Sequence, residues 1–281
     1  MFADLHAHTT ASDGSLQPEE LVDLAKKSEL AALAVTDHDT VAGVERALVH
    51  GKKVGLEVIP GVEISSNLDQ RDVHLLGLFV DHKDEKLLKR IADMAMSRAT
   101  RNEKMIKKLQ DAGIPITKED LPAAEEGKQI ARGHIAEVLI AKGYATNLRD
   151  ALDRYLVKGT PGYVMKEVLS VEECIDMVHQ AGGLIFVAHL HQIDPKSPDH
   201  SLEIAEKIIA LGADGLETVY SEYDEFWSKT TAELANKLGV LQTGGSDFHG
   251  RMKKNLELGT GYGALRVPYE FVKKMKEKLA R

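Results

Sequence analysis

Six separated segments of this chain carry histidine or carboxylate residues, nearly all of them at the end of apolar, strand-like runs. The first is Asp4-Leu5-His6-Ala7-His8, with Asp13 in the Ser-Asp-Gly turn that follows. The others are Thr36-Asp37-His38-Asp39, Gly61-Val62-Glu63, His74, His189 and Ser246-Asp247-Phe248-His249. Few scaffolds gather six such segments at one place. A parallel α/β barrel does, because its chemistry collects on loops at the C-terminal ends of the strands. Histidine and carboxylate donors suit divalent transition metals, so the pattern points to a multinuclear site and a metal-dependent hydrolase.

The intervening sequence supplies the barrel's alternation. Pro18-Glu19-Glu20 predicts a helix to about Ser28, with proline in the first turn and acids at the positive end. Ala31–Thr36 predicts a strand and Val41–Val54 a helix. Val58–Ser65 and His74–Val80 are strands too close to hold a helix between them. Glu85–Asp111 is a long helix stopped by Gly113 and Pro115, and its Met94–Met105 stretch is expected to face a core. Short amphipathic helices follow at Ile130–Lys142 and Asn147–Leu156. A capping box at Ser170-Val171-Glu172-Glu173 opens another helix. The alternation then resumes through strands at Leu184–Ala188, Gly215–Val219 and Val240–Thr243 and helices at Ala205–Leu211 and Lys229–Leu238. The repetition predicts parallel strands with helical crossovers. About seven strands are visible, and Gly263–Val267 is the candidate for one more. His74 opens its strand, so its orientation is left open by the pattern.

Composition narrows the class. The 281 residues, 43% hydrophobic and 28% charged, are those of a globular protein. No apolar run approaches the roughly 20 residues of a membrane span, and Met-Phe-Ala-Asp-Leu-His is no signal-peptide start, so the cytoplasm is the expected compartment. The single cysteine, Cys174, excludes a disulfide framework and reads as a buried small hydrophobe. A net charge of −8 opposes binding of long duplex nucleic acid. Arg98, Arg101, Lys104, Lys107 and Lys108 form a local basic run, either a solvated helix face or, through Arg98 and Arg101, an attractor for an anionic substrate.

A His-x-His pair is weak evidence in a chain with 12 histidines; His189-Leu190-His191 is a second one, with nothing else supporting His191. The ordered set is specific: Asp-Leu-His-x-His-x-x-x-Ser-Asp-Gly, Thr-Asp-His-Asp, Gly-Val-Glu, then Gly-Ser-Asp-x-His. It resembles the PHP (polymerase and histidinol phosphatase) superfamily over residues 4–82 and about 170–250. The likeness is greatest to stand-alone metal-dependent phosphoesterases with a helical insertion, such as nucleoside 3′,5′-bisphosphate phosphatases and 5′–3′ oligoribonucleases. It implies a distorted (β/α)7 TIM-like barrel from residues 1–84 and 170–281, with a small helical insertion, residues 85–169, lying over the rim as a lid.

The resemblance also implies three divalent ions. The first takes His6, His8, Glu63 and Asp247; the second shares Glu63 and adds His74 and His189; the third takes Asp13, His38 and His249. Manganese, iron and zinc all suit such donors. Two ions sharing Glu63 would hold a bridging hydroxide in line with phosphorus, and no protein side chain is assigned as nucleophile or general acid. Asp37 and Asp39 are candidates to orient imidazoles, Asp39 equally to cap the next helix. Leu190 stands where the family usually has proline, a change expected to alter the loop rather than the ligand. Arg132-Gly133-His134-Ile135-Ala136 is similar to a family segment over the site, which makes Arg132, His134 and Lys158 candidate phosphate contacts. Glu217, Tyr220 and Tyr163 receive no role, and His50, His82, His179 and His200 read as surface or packing residues.

The expected substrate is therefore a small phosphorylated molecule, a nucleoside 3′,5′-bisphosphate or the 5′ end of a short oligonucleotide, taken by a monomer or weak oligomer. The alternatives are a phosphatase for another metabolite, such as histidinol phosphate, and a non-catalytic metal-binding interaction module.

Overall fold

Ala32–Val35 is buried along its whole length, as befits a strand covered on both faces. It is the second strand of a computed structural model that describes residues 1–121, 132–164 and 168–280. The chain opens with β1 (Phe2–Asp4), α1 (Pro18–Lys27), β2 (Ala32–Val35) and α2 (Val44–Val54). Helix α1 starts on proline behind a Gln17/Glu20 capping box, with Glu19 and Glu20 in its first turn and Lys26 and Lys27 in its last. Helix α2 stops at Gly55, whose φ of 68° lies where glycine meets no Cβ penalty.

The next two strands depart from the parallel expectation. Strands β3 (Glu57–Leu68) and β4 (Arg71–Leu78) form an antiparallel hairpin. Only Asp69 and Gln70 separate them, with φ of 50° and 64°, the left-handed pair of a tight hairpin turn. A parallel return needs a crossover of about a dozen residues, so two residues dictate reversal. Reversal has a consequence for His74. Strand β4 starts at the rim where its neighbours end, so a residue early in it joins their C-terminal chemistry.

Contacts divide the chain into two compact units, Met1–Ile91 with Leu169–Arg281, and Ala92–Val168. The second unit holds most of α3 (Glu85–Asp111), α4 (Arg132–Ala141), the short α5 (Leu148–Ala151) and a wide turn at Leu152–Leu156. Asn147 caps α5 by accepting the Asp150 N–H. Met105, Leu109, Ile116, Ile135, Leu139 and Leu156 are among the residues of its core. Met96 does not join them and is 72% exposed. It sits nine residues from Met105, half a rotation around an α-helix, so the Met94–Met105 stretch is not uniformly core. The expected helix start at Ile130 lies outside the described residues.

The first unit continues with β5 (Leu169–Ser170), α6 (Val171–Gln180), β6 (Leu184–Val187), α7 (Pro198–Ala210), β7 (Gly215–Tyr220), α8 (Glu225–Leu238), β8 (Leu241–Gly245), β9 (Val267–Pro268) and α9 (Glu270–Leu279). The strand order is β8-β7-β6-β4-β3-β2-β1-β9, with β5 beside β3. The ring nearly closes where the Leu5 N–H donates to Gly244 O at 3.0 Å and the Asp247 N–H to His6 O at 2.8 Å. Seven strands thus make a distorted α/β barrel. Strand β4 is antiparallel to both β3 and β6. Of the candidate extra strand Gly263–Val267 only Val267 is in a strand, the two-residue β9, which runs antiparallel to the start of β1. Leu5, Ile59, Leu76, Phe186, Val267 and Met275 pack in one core cluster. Cys174 is buried on α6, and burial pushes its thiol up to about 12. Among the described residues no helix is long and apolar enough to cross a membrane.

Closure leaves no room at Gly245, where a Cβ would come 2.4 Å from His6 N. Gly245→Ala is expected to lower unfolding free energy by about 1–3 kcal/mol or more, the range for overpacking. Gly133→Ala, on helix α4 with nothing within 4 Å among the described residues, is expected to gain up to about 1 kcal/mol. Denaturant unfolding of the two variants checks the contrast.

Candidate metal centre

Alternation along the first strand and its extension decides which side chains enter the site. Leu5 and Ala7 are buried in the apolar packing, while Asp4, His6 and His8 take the other face. The turn to Asp13 is fixed by Asp37, whose carboxylate accepts the Thr9 N–H and Thr9 Oγ–H at 2.7 Å and the Ser12 Oγ–H at 2.6 Å. Asp37 therefore shapes the loop that presents Asp13 instead of orienting an imidazole. Asp39 accepts the Ser65 N–H at 2.8 Å, and the N-cap of α2 is Gly43, so Asp39 does not cap that helix.

Glu63 is the centre of the arrangement. It is 1% exposed. Its Oε1 lies 2.8 Å from His74 Nδ1 and 2.9 Å from His189 Nε2. Its Oε2 lies 3.0 Å from His38 Nδ1, 3.2 Å from His8 Nε2 and 3.3 Å from His6 Nε2. His74 reaches it from the reversed β4, where it pairs with Ser65, two residues along the same face from Glu63. Asp247 Oδ1 lies 3.2 Å from His8 Nε2. Asp13 Oδ1 lies 3.3 Å from His249 Nε2, and the His249 ring stacks on His8 at 4.1 Å.

All nine sequence-predicted ligand residues thus converge in the first unit. Three overlapping groups have donor atoms within 4.8 Å of one another: His6, His8, Glu63 and Asp247; His8, Asp13, His38 and His249; and His38, Glu63 and His74. The first is the set the family likeness implied. The other two differ from the implied sets, because His8 also reaches the Asp13 group and His38 lies between it and Glu63. His189 meets Glu63 through the same oxygen as His74.

The donor atoms fit metal ions. His6 Nε2, both His8 ring nitrogens, His38 Nδ1, His189 Nδ1, Glu63 Oε2 and Asp247 Oδ1 are buried without a hydrogen-bond partner among the described residues. Buried polar groups are rarely left so. Several lie about 3 Å from another donor without hydrogen-bond alignment, the arrangement expected when lone pairs converge on a shared cation. His249 Nδ1 sits 2.8 Å from the Asp247 carbonyl, which places its proton there and frees Nε2.

Proton affinities reflect the crowding. Burial lowers the pKa of His6 and His8, but neighbouring carboxylates outweigh it: Glu217, Asp247 and Glu63 hold His6 well above its ordinary value. The adjacent carboxylates of Asp247 and Glu63 bring His8 to about 10. His38 goes the other way, to about 3, because burial and the neighbouring His8 exceed the pull of Glu63. Burial also opposes ionisation of Glu63 and Asp247, yet the surrounding imidazoles hold both well below the carboxylate range.

Three supporting residues escaped the sequence reading. Glu217 is fully buried, with Oε1 3.0 Å from His6 Nδ1 and Oε2 accepting the His189 N–H at 2.7 Å. Tyr220 donates to Asp247 Oδ2 at 2.7 Å, and Lys253 Nζ lies 2.5 Å from the same oxygen. The available signal was a glutamate inside the apolar run Gly-Leu-Glu-Thr-Val-Tyr; Lys253 offered none. Asp4, quoted in the first motif without a role, accepts the Ser246 N–H and Oγ–H and the Gly259 N–H, fixing the loop before Asp247.

Other candidates resolve simply. Leu190 donates its N–H to Tyr223 Oη at 2.7 Å, a bond proline cannot make. His191 packs among Tyr220, Tyr223 and Trp227 and lies 3.4 Å from Glu222. His50, His82, His179 and His200 pair with Asp23, Glu45, Asp214 and Asp194. Arg132, His134 and Lys158 belong to the second unit, the first and last exposed and His134 half-buried. In that unit Arg101 donates to Val164 O and Lys108 to Tyr163 O. The Arg98 side chain lies outside what is described.

The PHP domain family model matches residues 4–164. The chain belongs to the PHP domain family. Its relatives include a 5′-3′ exoribonuclease of Haemophilus influenzae, 34% identical over 91% of this chain and 94% of that protein. A 3′,5′-nucleoside bisphosphate phosphatase of Chromobacterium violaceum is 30% identical over 88% of this chain and 86% of that protein. The crystal structure of a putative metal-dependent phosphoesterase from Bifidobacterium adolescentis superposes with a TM-score of 0.82 and 31% identity, covering 97% of this chain and 94% of that one. This PHP protein is accordingly a metal-dependent hydrolase.

A pH dependence follows. His8 ionises at about 10 in the metal-free fold and near 6.5 when unfolded, and His6 is also raised. Their stabilisation is complete below about 6.5 and is lost as pH rises toward 10. With chelator present, the melting temperature is expected to fall between about pH 6.5 and 9, below the range where Cys174 contributes. With a saturating divalent metal the slope should reverse, since metal and protons compete for the same nitrogens. A flat or rising chelated profile would contradict the assignment.

Proposed function

We propose that the protein removes a phosphate from a nucleoside 3′,5′-bisphosphate or hydrolyses the 5′ end of a short oligonucleotide, using three divalent ions of manganese, iron or zinc. The observation that carries this reading is Glu63, a buried carboxylate whose two oxygens face five imidazoles from four different segments. Its Oε1 faces His74 and His189 while its Oε2 faces His6, His8 and His38. A carboxylate divided in this way suits a bridge. The names of the Haemophilus and Chromobacterium relatives favour nucleotide and short-RNA substrates.

Ions held there supply Lewis acidity toward a phosphoryl oxygen and acidify water at neutral pH. The protein's own residues set the stage for that chemistry. Asp247 turns Oδ1 toward His6 and His8 because Tyr220 and Lys253 occupy Oδ2. His249 keeps Nε2 free by engaging Nδ1 with the backbone. Burial of His6, His8, Glu63 and Asp247 excludes bulk water and strengthens each charge interaction.

We assign residues 85–169 as an insertion that recognises the remainder of the substrate through Arg132, His134 and Lys158. The dense ligand set disfavours a non-catalytic module.

Two outcomes test the reading. Chelation, His38→Ala and Asp247→Ala should each abolish phosphatase activity on a nucleoside 3′,5′-bisphosphate while circular dichroism shows the fold retained; full activity in any of the three would refute the metal mechanism. Arg132→Ala should lower kcat/KM on the bisphosphate by about one to two decades, the worth of a charge-assisted contact of roughly 1.5–3 kcal/mol. On a minimal aryl phosphate, which has no second phosphate, it should change little. Equal losses on both substrates would assign Arg132 to the reacting phosphate or to folding.

A further inference from the structure

Glu217 stands apart from the nine ligand residues, yet it touches two of them in different ways. Its carboxylate is fully buried at the inner face of β7. One oxygen lies 3.0 Å from His6 Nδ1, and the other accepts the backbone N–H of His189 at 2.7 Å. His189 has a φ of 25° and ψ of 61°, a strained conformation for a non-glycine residue. Its N–H would be buried and unsatisfied without that oxygen. The ring nitrogen His6 Nε2, by contrast, has no hydrogen-bond partner among the described residues and lies near Glu63 and Asp247.

We propose that Glu217 is a positioning residue that keeps the His6 proton on Nδ1 and holds the His189 backbone in place, so that one carboxylate readies two imidazoles from opposite sides of Glu63 for metal. This deepens the metal-centre reading and rests on it. An ionised carboxylate only accepts hydrogen bonds. Facing His6 Nδ1, it requires a proton there and leaves the Nε2 lone pair available to a cation. Its second oxygen cannot be spared, because the His189 N–H has no alternative partner among the described contacts.

Glutamine exposes the logic, since it fills the same space with one acceptor and one donor. Its oxygen must serve the His189 N–H, a group that can only donate. Its amide then donates to His6 Nδ1, which moves the His6 proton to Nε2 and blocks that ligand atom. Alanine removes both oxygens without adding a donor, so water can still accept from Nδ1. Tautomer control therefore predicts that Glu217→Gln weakens metal binding more than Glu217→Ala. A packing role predicts the opposite order, because alanine opens a cavity that glutamine fills.

The test titrates metal-stripped full-length protein with zinc, for wild type and both variants. Long-range proton–nitrogen spectra of the zinc-loaded proteins locate the His6 proton. The expected result is an affinity loss of about 10–100-fold for Glu217→Gln, a smaller loss for Glu217→Ala, and a His6 proton on Nε2 in the glutamine variant alone. Wild-type affinity in Glu217→Gln, a larger loss in Glu217→Ala, or a proton retained on Nδ1 in the glutamine variant would overturn the inference. Failure of wild type itself to bind zinc or manganese would overturn the metal-centre reading instead.

Discussion

A carboxylate removed from water must be compensated, and Glu63 is the group around which the barrel's upper rim is built. Burial alone would drive it to protonate. Five imidazoles within 3.3 Å of its oxygens hold it ionised instead. Those imidazoles come from the ends of β1, β2 and β6 and from the start of β4. The reversed strand is what makes the count possible. With β4 parallel, His74 would sit at the far rim and Glu63 Oε1 would lose a partner. The two-residue turn at Asp69-Gln70 is thus a requirement of the site as much as of the sheet.

Holding so many ligands at one point strains the loops that carry them. Asp39, His189 and Asp247 all have positive φ, at 51°, 25° and 56°, and each is a ligand or adjoins one. Such residues persist when surrounding bonds over-determine them. Here the bonds are identifiable: Asp39 takes the Ser65 N–H, Glu217 takes the His189 N–H, and the Asp247 N–H donates to His6 O. Asp4 and Asp37 serve the same purpose one step further out, each gathering loop donors beside a ligand. The candidate ligands are therefore fixed by a layer of carboxylates that bond the loops carrying them.

That the nine candidate ligand residues would meet was legible because their chemistry lies in short motifs whose order in the chain is specific. Helices with caps were legible too; α3 spans the predicted Glu85–Asp111. Strand direction was not, since period-two alternation looks the same in parallel and antiparallel pairs. The turn residues between β3 and β4 held that information, and an Asp-Gln pair is a weak turn signal beside Asn-Gly. Glu217, Tyr220 and Lys253 were illegible for a different reason. Their roles depend on which buried atoms they meet across the barrel, and a single glutamate, tyrosine or lysine carries no trace of that. Asp37 misled because adjacency to His38 in sequence puts it on the opposite side of the strand's extension, toward Thr9 and Ser12.

The central claim is that several divalent ions sit around one shared carboxylate. Anomalous-difference maps from crystals grown with manganese or zinc and measured across that metal's absorption edge test it directly. The account predicts three peaks, two of them flanking Glu63 and the third between Asp13, His38 and His249. An empty map at saturating metal, or a single peak that Glu63 does not ligate, would contradict it.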